Sequence, residues 1–440
     1  LVTQRLFDTH YANLRKAWQQ AVLHGRDEAL ITITADFFLY THTRGRNSDF
    51  RTWLDFADSY IQRHNPLWVI ITYLRLYMDI IRGDIDQPDL QQHIRLCLRH
   101  AKTHQMKPFI PHLIRLEGDW LLAHQRYHQA LSEYEQAENG FADQNDAFEL
   151  ARTWNRIGIA YLYIGDFQSA GRYLHQSIRT KRQHHIYIEW IASLNNLAYV
   201  HLYKGNITEA KRLVEEMHVI SQTIHFNLGK VQAHQLDALM GWLLGDTSAI
   251  ATYHHQAQGM VIFPALQDVH TVLNGLSHLI QHQPQSALTC LDTLHPTDPL
   301  DRFWCAWVYG WAYIQSSQPD LLYQHIRQMI PIAHHFEADF ITYLVLWLCA
   351  MWFRQTNQSD QADSLLSALA SHPISGWGFF GGWLADYPIS SSSGATDLQA
   401  LFGRISPQFG AIHPPPSASV PQLTIREIEI LTLVAQDYSN

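Results

Sequence analysis

Three histidine pairs, His184-His185, His254-His255 and His334-His335, are the first residues whose type invites chemistry, in a chain with 28 histidines. A metal ion needs three or four convergent donors, usually with carboxylates or thiols close by. These pairs instead fall near expected helix ends, where histidine lies against the helix dipole or in solvent, so no metal site is expected. The four cysteines, Cys97, Cys290, Cys305 and Cys349, lie far apart without a CxxC pair, which fits a reducing cytoplasm. No GxSxG, HExxH or locally supported Cys–His arrangement occurs, and the carboxylates scatter along helix faces. No catalytic residue is assigned, and no enzymatic activity is expected. GxxxxGK[ST] is also absent, so the chain offers no nucleotide site and no cofactor of its own.

The elements carrying these residues repeat. "RTWNRIGIAYLYIGDFQSAGRYLHQSI" aligns with "IASLNNLAYVHLYKGNITEAKRLVEEM", pairing Gly158 with Ala198, Tyr161 with His201, Gly165 with Gly205, Ala170 with Ala210 and Leu174 with Val214, each 40 apart. Small residues extend the series to Gly118 and Ala238, then to Gly275, Gly310 and Ala350 at steps of 37, 35 and 40. Twelve residues later comes a second small position at Ala130, Ala170, Ala210, Ala287 and Ala362, replaced by Ile250 and Leu322 in two units. Small residues so placed let the two helices of a hairpin approach closely. Seven hairpins are expected from about 110 to 372, with weaker helical hairpins over 1–109. The fold class is therefore an all-α solenoid of helical hairpins. The pattern also admits a packed helical array without repeat ancestry.

"Trp154…Gly158…Tyr161…Ala170" resembles the tetratricopeptide signature, with a period longer than that family's usual one. The resemblance implies that the first helix of each hairpin lines a concave groove. Residues three before and one after each small position then face inward: Arg115 and Asp119, Asn155 and Ile159, Asn195 and Tyr199, Gln235 and Leu239, Trp307 and Trp311. Amides beside aromatic faces suit a peptide, a sugar or a small polar metabolite. The alternative is that the asparagines bond only to neighbouring backbone. If so, the Trp-rich "FWCAWVYGW" at 303–311 is the next candidate.

From 373 to 420 the texture turns Gly-, Ser- and Pro-rich, with a triple proline, which reads as a capping and linker segment around one short helix at 395–405. The last stretch, 421–440, restarts a domain. Thr424 and Glu427 form a capping box ahead of an apolar helical face, Ile425, Ile428 and Leu431, whose partners the sequence does not supply. "LTIREIEILTLVAQDYSN" (423–440) resembles the opening of a LuxR-type helix-turn-helix domain, with Asp437 where that family usually has Gly. "HYANLRKAWQQAVLHGRDEALITITADFFLY" with "GRNSDFRTWLDFA" is similar to the helical stretch after the NTPase module of large LuxR- and AfsR-type (MalT-like, STAND) regulators. Together these imply a sensor region cut from a longer protein. ATP would belong to a module upstream, and DNA would be reached only through the complete C-terminal domain.

Composition sets the outer bounds. An apolar share of 47% against 16% charged residues marks a folded chain, and a net charge of −9 gives its bulk no electrostatic attraction to nucleic acid. The longest apolar run, "FITYLVLWLCAMWF" at 340–353, is too short to span a bilayer and reads as a buried helix. The expected function is the sensor and interaction region of a bacterial transcriptional regulator acting in the cytoplasm, with an inducer or partner protein on the concave face. Two rivals remain: a partner-binding scaffold without a small ligand, and an intramolecular clamp on the upstream module.

Overall fold

The structure, a computed structural model, describes residues 2–409 apart from 44–45, 63–64, 83–84, 86, 88, 259–263, 293, 295, 297–298, 337, 373 and 375–396. All regular elements among the described residues are helices. Five come first: α1 (Val2–Leu23), α2 (Asp27–Thr43), α3 (Asn47–Asp58), α4 (Pro66–Arg82) and α5 (Leu90–Thr103). Seven antiparallel hairpins follow: α6 (Ile110–Ala123) with α7 (Tyr127–Asp143), α8 (Ala147–Ile164) with α9 (Phe167–Gln183), α10 (Tyr187–Tyr203) with α11 (Ile207–Thr223), and α12 (Asn227–Leu243) with α13 (Ser248–Ala257). The last three are α14 (Pro264–Ile280) with α15 (Pro284–Leu291), α16 (Pro299–Gln315) with α17 (Pro319–Phe336), and α18 (Asp339–Gln355) with α19 (Ser359–Ala370). A short α20 (Leu398–Ile405), running into a 3-10 turn at Ser406–Phe409, packs on α18. The capping box, Thr424 and Glu427, lies outside the described residues, as does most of the linker.

The helices from α5 to α12 stop for a local reason. Gln105, Gln125, Asn145, Gly165, His185, Gly205, His225 and Gly245 all have positive φ, and they fall 20 residues apart. A left-handed residue past the helix end lets a later amide turn back onto an orphan carbonyl. Arg126 N reaches Leu121 O at 2.9 Å, Ile186 N reaches Lys181 O at 2.9 Å and Asn206 N reaches His201 O at 2.8 Å. Starts are marked too: Asp146 and Asp166 accept from the amides of Glu149 and Ser169 at 3.0 and 2.9 Å. Most of these helices are 17 residues long, and with short links each half-unit takes 20. The 40-residue period is two such halves. The pair His184-His185 forms one of these ends, and the other two pairs lie in the last turns of α13 and α17.

The small positions are where helices touch. A Cβ at Gly118 would stand 2.6 Å from the Tyr134 ring, and one at Gly158 would stand 2.7 Å from Leu174 Cγ. Ala130, Ala170, Ala198, Ala210, Ala238, Ala287, Ala350 and Ala362 are fully enclosed, and so are their replacements Ile250 and Leu322. The run at 340–353 is α18, buried along nearly its whole circumference. Among the described residues, no helix is long and apolar enough to cross a membrane.

The array also curls until late hairpins meet early ones. α18 packs on α10, and α14 touches α4. Trp304 Nε1 donates to Tyr203 Oη at 2.9 Å, Arg302 donates to Gln125 Oε1 at 2.7 Å, and His335 Nε2 donates to Tyr163 O at 2.8 Å. Gly165 sits at this seam with φ +92°, and a Cβ there would lie 3.1 Å from both His335 O and Phe336 Cα. Only glycine satisfies both the conformation and the close approach.

Within a hairpin, Gly158→Val forces two methyls into the space of Leu174, which is fully buried and has nowhere to move. Overpacking of this kind costs about 1–3 kcal/mol. Thermal unfolding should show a melting temperature lowered by several degrees, and an unchanged one would mean the crossing is looser than described.

Candidate functional site

The inner face of α6, α8 and α10 carries a connected set of charges. Arg115 on α6 pairs with Glu149 on α8, and Glu149 also pairs with Arg152 one turn on, at 3.0 Å. Arg152 Nε lies 3.4 Å from Glu189 on α10, and its Nη2 donates to Tyr77 Oη on α4 at 3.1 Å. Glu189 faces Lys181 of α9 at 3.5 Å, while Lys181 Nζ donates to Glu189 O at 3.0 Å and to Ser193 Oγ at 2.9 Å. Beside this line, Arg156 Nε meets Asp119 at 3.1 Å, and Tyr134 Oη donates to Asp119 at 2.8 Å. Four cations thus face three carboxylates, leaving one positive charge in excess.

Burial makes these charges interdependent. Arg115, Asp119, Glu149 and Lys181 are almost wholly enclosed, so each ion needs its partner. Burial opposes ionisation of Glu149, but Arg115 and Arg152 outweigh it and hold the carboxyl well below its usual range. Burial likewise works against Glu189, yet Arg152, Lys181 and Arg156 bring it down to about 2. Burial, reinforced by Arg152 and Arg156, lowers Lys181 to about 8 in spite of Glu189. His112, half-buried beside the network, drops to about 4, chiefly by burial and further by Arg115 and Arg152. One nitrogen, Nη2 of Arg115, is buried without a hydrogen-bond partner among the described residues.

The polar and aromatic inward-facing residues read from the sequence separate into four groups. Arg115 and Asp119 belong to the ion network. Asn155 is structural, its carbonyl oxygen accepting from Ser193 Oγ at 2.9 Å and Asn196 Nδ2 at 3.1 Å. Gln235 is buried and donates to Tyr253 Oη at 3.3 Å. Asn195 and Tyr199 are half-buried; Tyr199 stacks near Tyr203, and no side-chain hydrogen bond of Asn195 occurs among the described residues. Trp307 and Trp311 require a correction. Trp307 is fully enclosed between Trp242 and Trp347, and Trp311 packs on Trp242, because the closing hairpins occupy the space these rings were expected to line. The fallback stretch 303–311 is core for the same reason.

Sequence reading missed Glu149, Arg152, Arg156, Lys181, Glu189, Ser193 and Asn196. A signal existed: Glu149 and Glu189 share one phase of the 40-residue period, and Arg152 and Arg156 lie one helical turn apart. Lys181 could not be found this way, because it reaches the inner network from a second helix of a hairpin.

The tetratricopeptide-repeat family matches residues 190–225, covering α10 and α11. The chain is a tetratricopeptide-like helical-repeat protein. The crystal structure of the apo form of RapI is similar at a TM-score of 0.46 and 12% identity, over 59% of this chain and 94% of that one. No curated protein matches the chain.

Two outcomes follow from this array's polar face. Asn155→Ala removes the acceptor shared by the Ser193 hydroxyl, which keeps Ser177 and Lys181 as partners, and the Asn196 amide, costing about 0.5–1.5 kcal/mol in thermal or denaturant unfolding, whereas Asn195→Ala changes stability by less than about 0.5 kcal/mol. Equal effects would contradict this division.

The second outcome concerns pH. Between pH 6.5 and about 4 the unfolded chain protonates His112 while the folded chain does not, so stability falls as pH drops through that window. Glu189 is depressed from 4.5 to about 2, so its contribution is complete above about 4.5 and disappears towards pH 2. Melting temperature against pH should decline steadily on the acid side. His112→Gln should flatten the 6.5–4 portion, where one group contributes at most about 1.4 kcal/mol per pH unit. An unaltered slope in that variant would contradict the assignment.

Proposed function

We propose that this array is the sensing and interaction region of a LuxR-type transcriptional regulator, without enzymatic activity of its own and acting in the cytoplasm. A polar ligand or partner segment engages the inner face of α6, α8 and α10. Its binding favours one disposition of the array relative to a C-terminal DNA-binding domain, since an equilibrium moves only by differential affinity. The observation that carries this reading is a belt of half-exposed polar side chains, Arg152, Arg156, Asn195, Asn196 and Tyr199, standing on a buried ionic base. Arg152 and Arg156, held by carboxylates, and Asn196, held by Asn155, lose little freedom on binding, which is the condition for affinity from few contacts. The excess positive charge favours a ligand with a carboxylate or another anionic group. DNA contact and any ATP-dependent gating are assigned to segments that resemblance places after and before this array.

The scaffold reading uses the same surface with a protein partner and no small ligand. Native mass spectrometry of the protein purified from its own cells separates them. A bound small species or peptide is expected in the wild type and should be lost in Asn195→Ala/Tyr199→Ala, which keeps the wild-type circular dichroism although removing the Tyr199 ring from its stack with Tyr203 lowers the melting temperature. Retention of the same species by the double variant contradicts binding at this face, and a wild type carrying no small species or peptide favours the scaffold.

A further inference from the structure

Away from the inner charges, His218 on α11 and His234 and Asp237 on α12 bring one ligand atom each within 4.8 Å of one another. We propose that these three side chains bind a divalent transition-metal ion of the zinc class, with water completing its shell. His234 and Asp237 are three residues apart on one helix, so they project from the same face. His218 meets them from the preceding helix: its Nε2 lies 2.6 Å from Asp237 Oδ2, and its ring centroid lies 4.6 Å from that of His234.

The donor set selects the ion. Two imidazoles and one carboxylate suit zinc, cobalt or nickel, while calcium and magnesium take oxygen ligands. Donors sharing a zinc ion at about 2.0–2.1 Å stand about 3.3 Å apart at tetrahedral angles. The three atoms are already within 4.8 Å, so side-chain rotation closes the remainder. All three residues are half-exposed, which leaves room for an ion to enter and for water to fill an open position. A His218–Asp237 hydrogen bond alone explains two of these placements. It leaves unexplained why a second imidazole is packed against the first.

Lys230, which acts electrostatically on His234, works against a cation, so affinity falls below that of a closed four-ligand site. The consequence is mechanical. α11 ends one hairpin and α12 begins the next, so a bound ion would pin a joint of the array that the His218–Asp237 hydrogen bond already bridges.

The test uses the 440-residue chain without an affinity tag and either zinc chloride or cobalt chloride as probe. Calorimetry should give one equivalent of zinc at roughly micromolar affinity. Cobalt should produce visible d–d absorption, and amide exchange in α11 and α12 should slow. His234→Ala and Asp237→Asn, each with wild-type circular dichroism, should weaken binding by about tenfold or more. The other histidines provide the control: binding undiminished in both variants places the ion elsewhere and overturns the proposal, as does a wild type that takes up zinc only at millimolar concentration.

Discussion

A left-handed residue at every twentieth position, from Gln105 to Gly245, is the constraint on which the architecture rests. Each one stops a helix and turns the chain back within a few residues. Equal helices with equal links produce hairpins of one shape, and stacking identical hairpins brings every fortieth residue to the same place on the inner face. Arg115, Asn155, Asn195 and Gln235 share a phase for that reason. Most of these turns are built from Gln, Asn or His rather than Gly, at a conformational cost of about 1–2 kcal/mol each. Burial of the helices they join must offset that cost.

Beyond Gly245 the metre slips, with left-handed residues next at His282, Ser317 and Asn357. The hairpins that follow are the ones that fold back against the first half of the array. Their first helices, α16 and α18, are rich in tryptophan and phenylalanine, with α18 buried nearly all round and α16 over most of its apolar side chains, because they have neighbours on the inner side as well as along the stack. The same chain thus builds two inner surfaces. Over α6 to α10 it is ionic and partly open, and from α14 onwards it is apolar and filled. Of the two, the first is the one that leaves polar side chains open to a ligand, with buried carboxylates holding Arg152 and Arg156 in place.

The hairpins were legible because steric demand leaves small residues where helices cross, and Gly118, Gly158 and Gly310 stand in the sequence as that record. The seam was not. Trp304 and Tyr203 are about a hundred residues apart, and neither type nor spacing announces that an indole will reach a phenol across the array. Trp307 and Trp311 had the phase of groove residues, and phase says which way a side chain points without saying what already occupies that side. The ion network was half legible, since Glu149 and Glu189 repeat in register but Lys181 enters from outside the pattern. The three-residue cluster at His218, His234 and Asp237 was hidden because adjacent histidine pairs drew attention while its own members are 16 and 19 residues apart.

Closure of the array on itself is the claim from which the position of the proposed ligand face follows. It is tested by pulsed dipolar spectroscopy with spin labels at positions 125 and 302, which meet across the seam through Gln125 and Arg302. Both are exposed, and labelling them spares the buried Trp304–Tyr203 contact. A closed array gives a single narrow distribution at short distance, unchanged by dilution. A broad distribution reaching to the length of several stacked hairpins would mean an open superhelix, and the Trp-rich face would then be exposed to ligands after all.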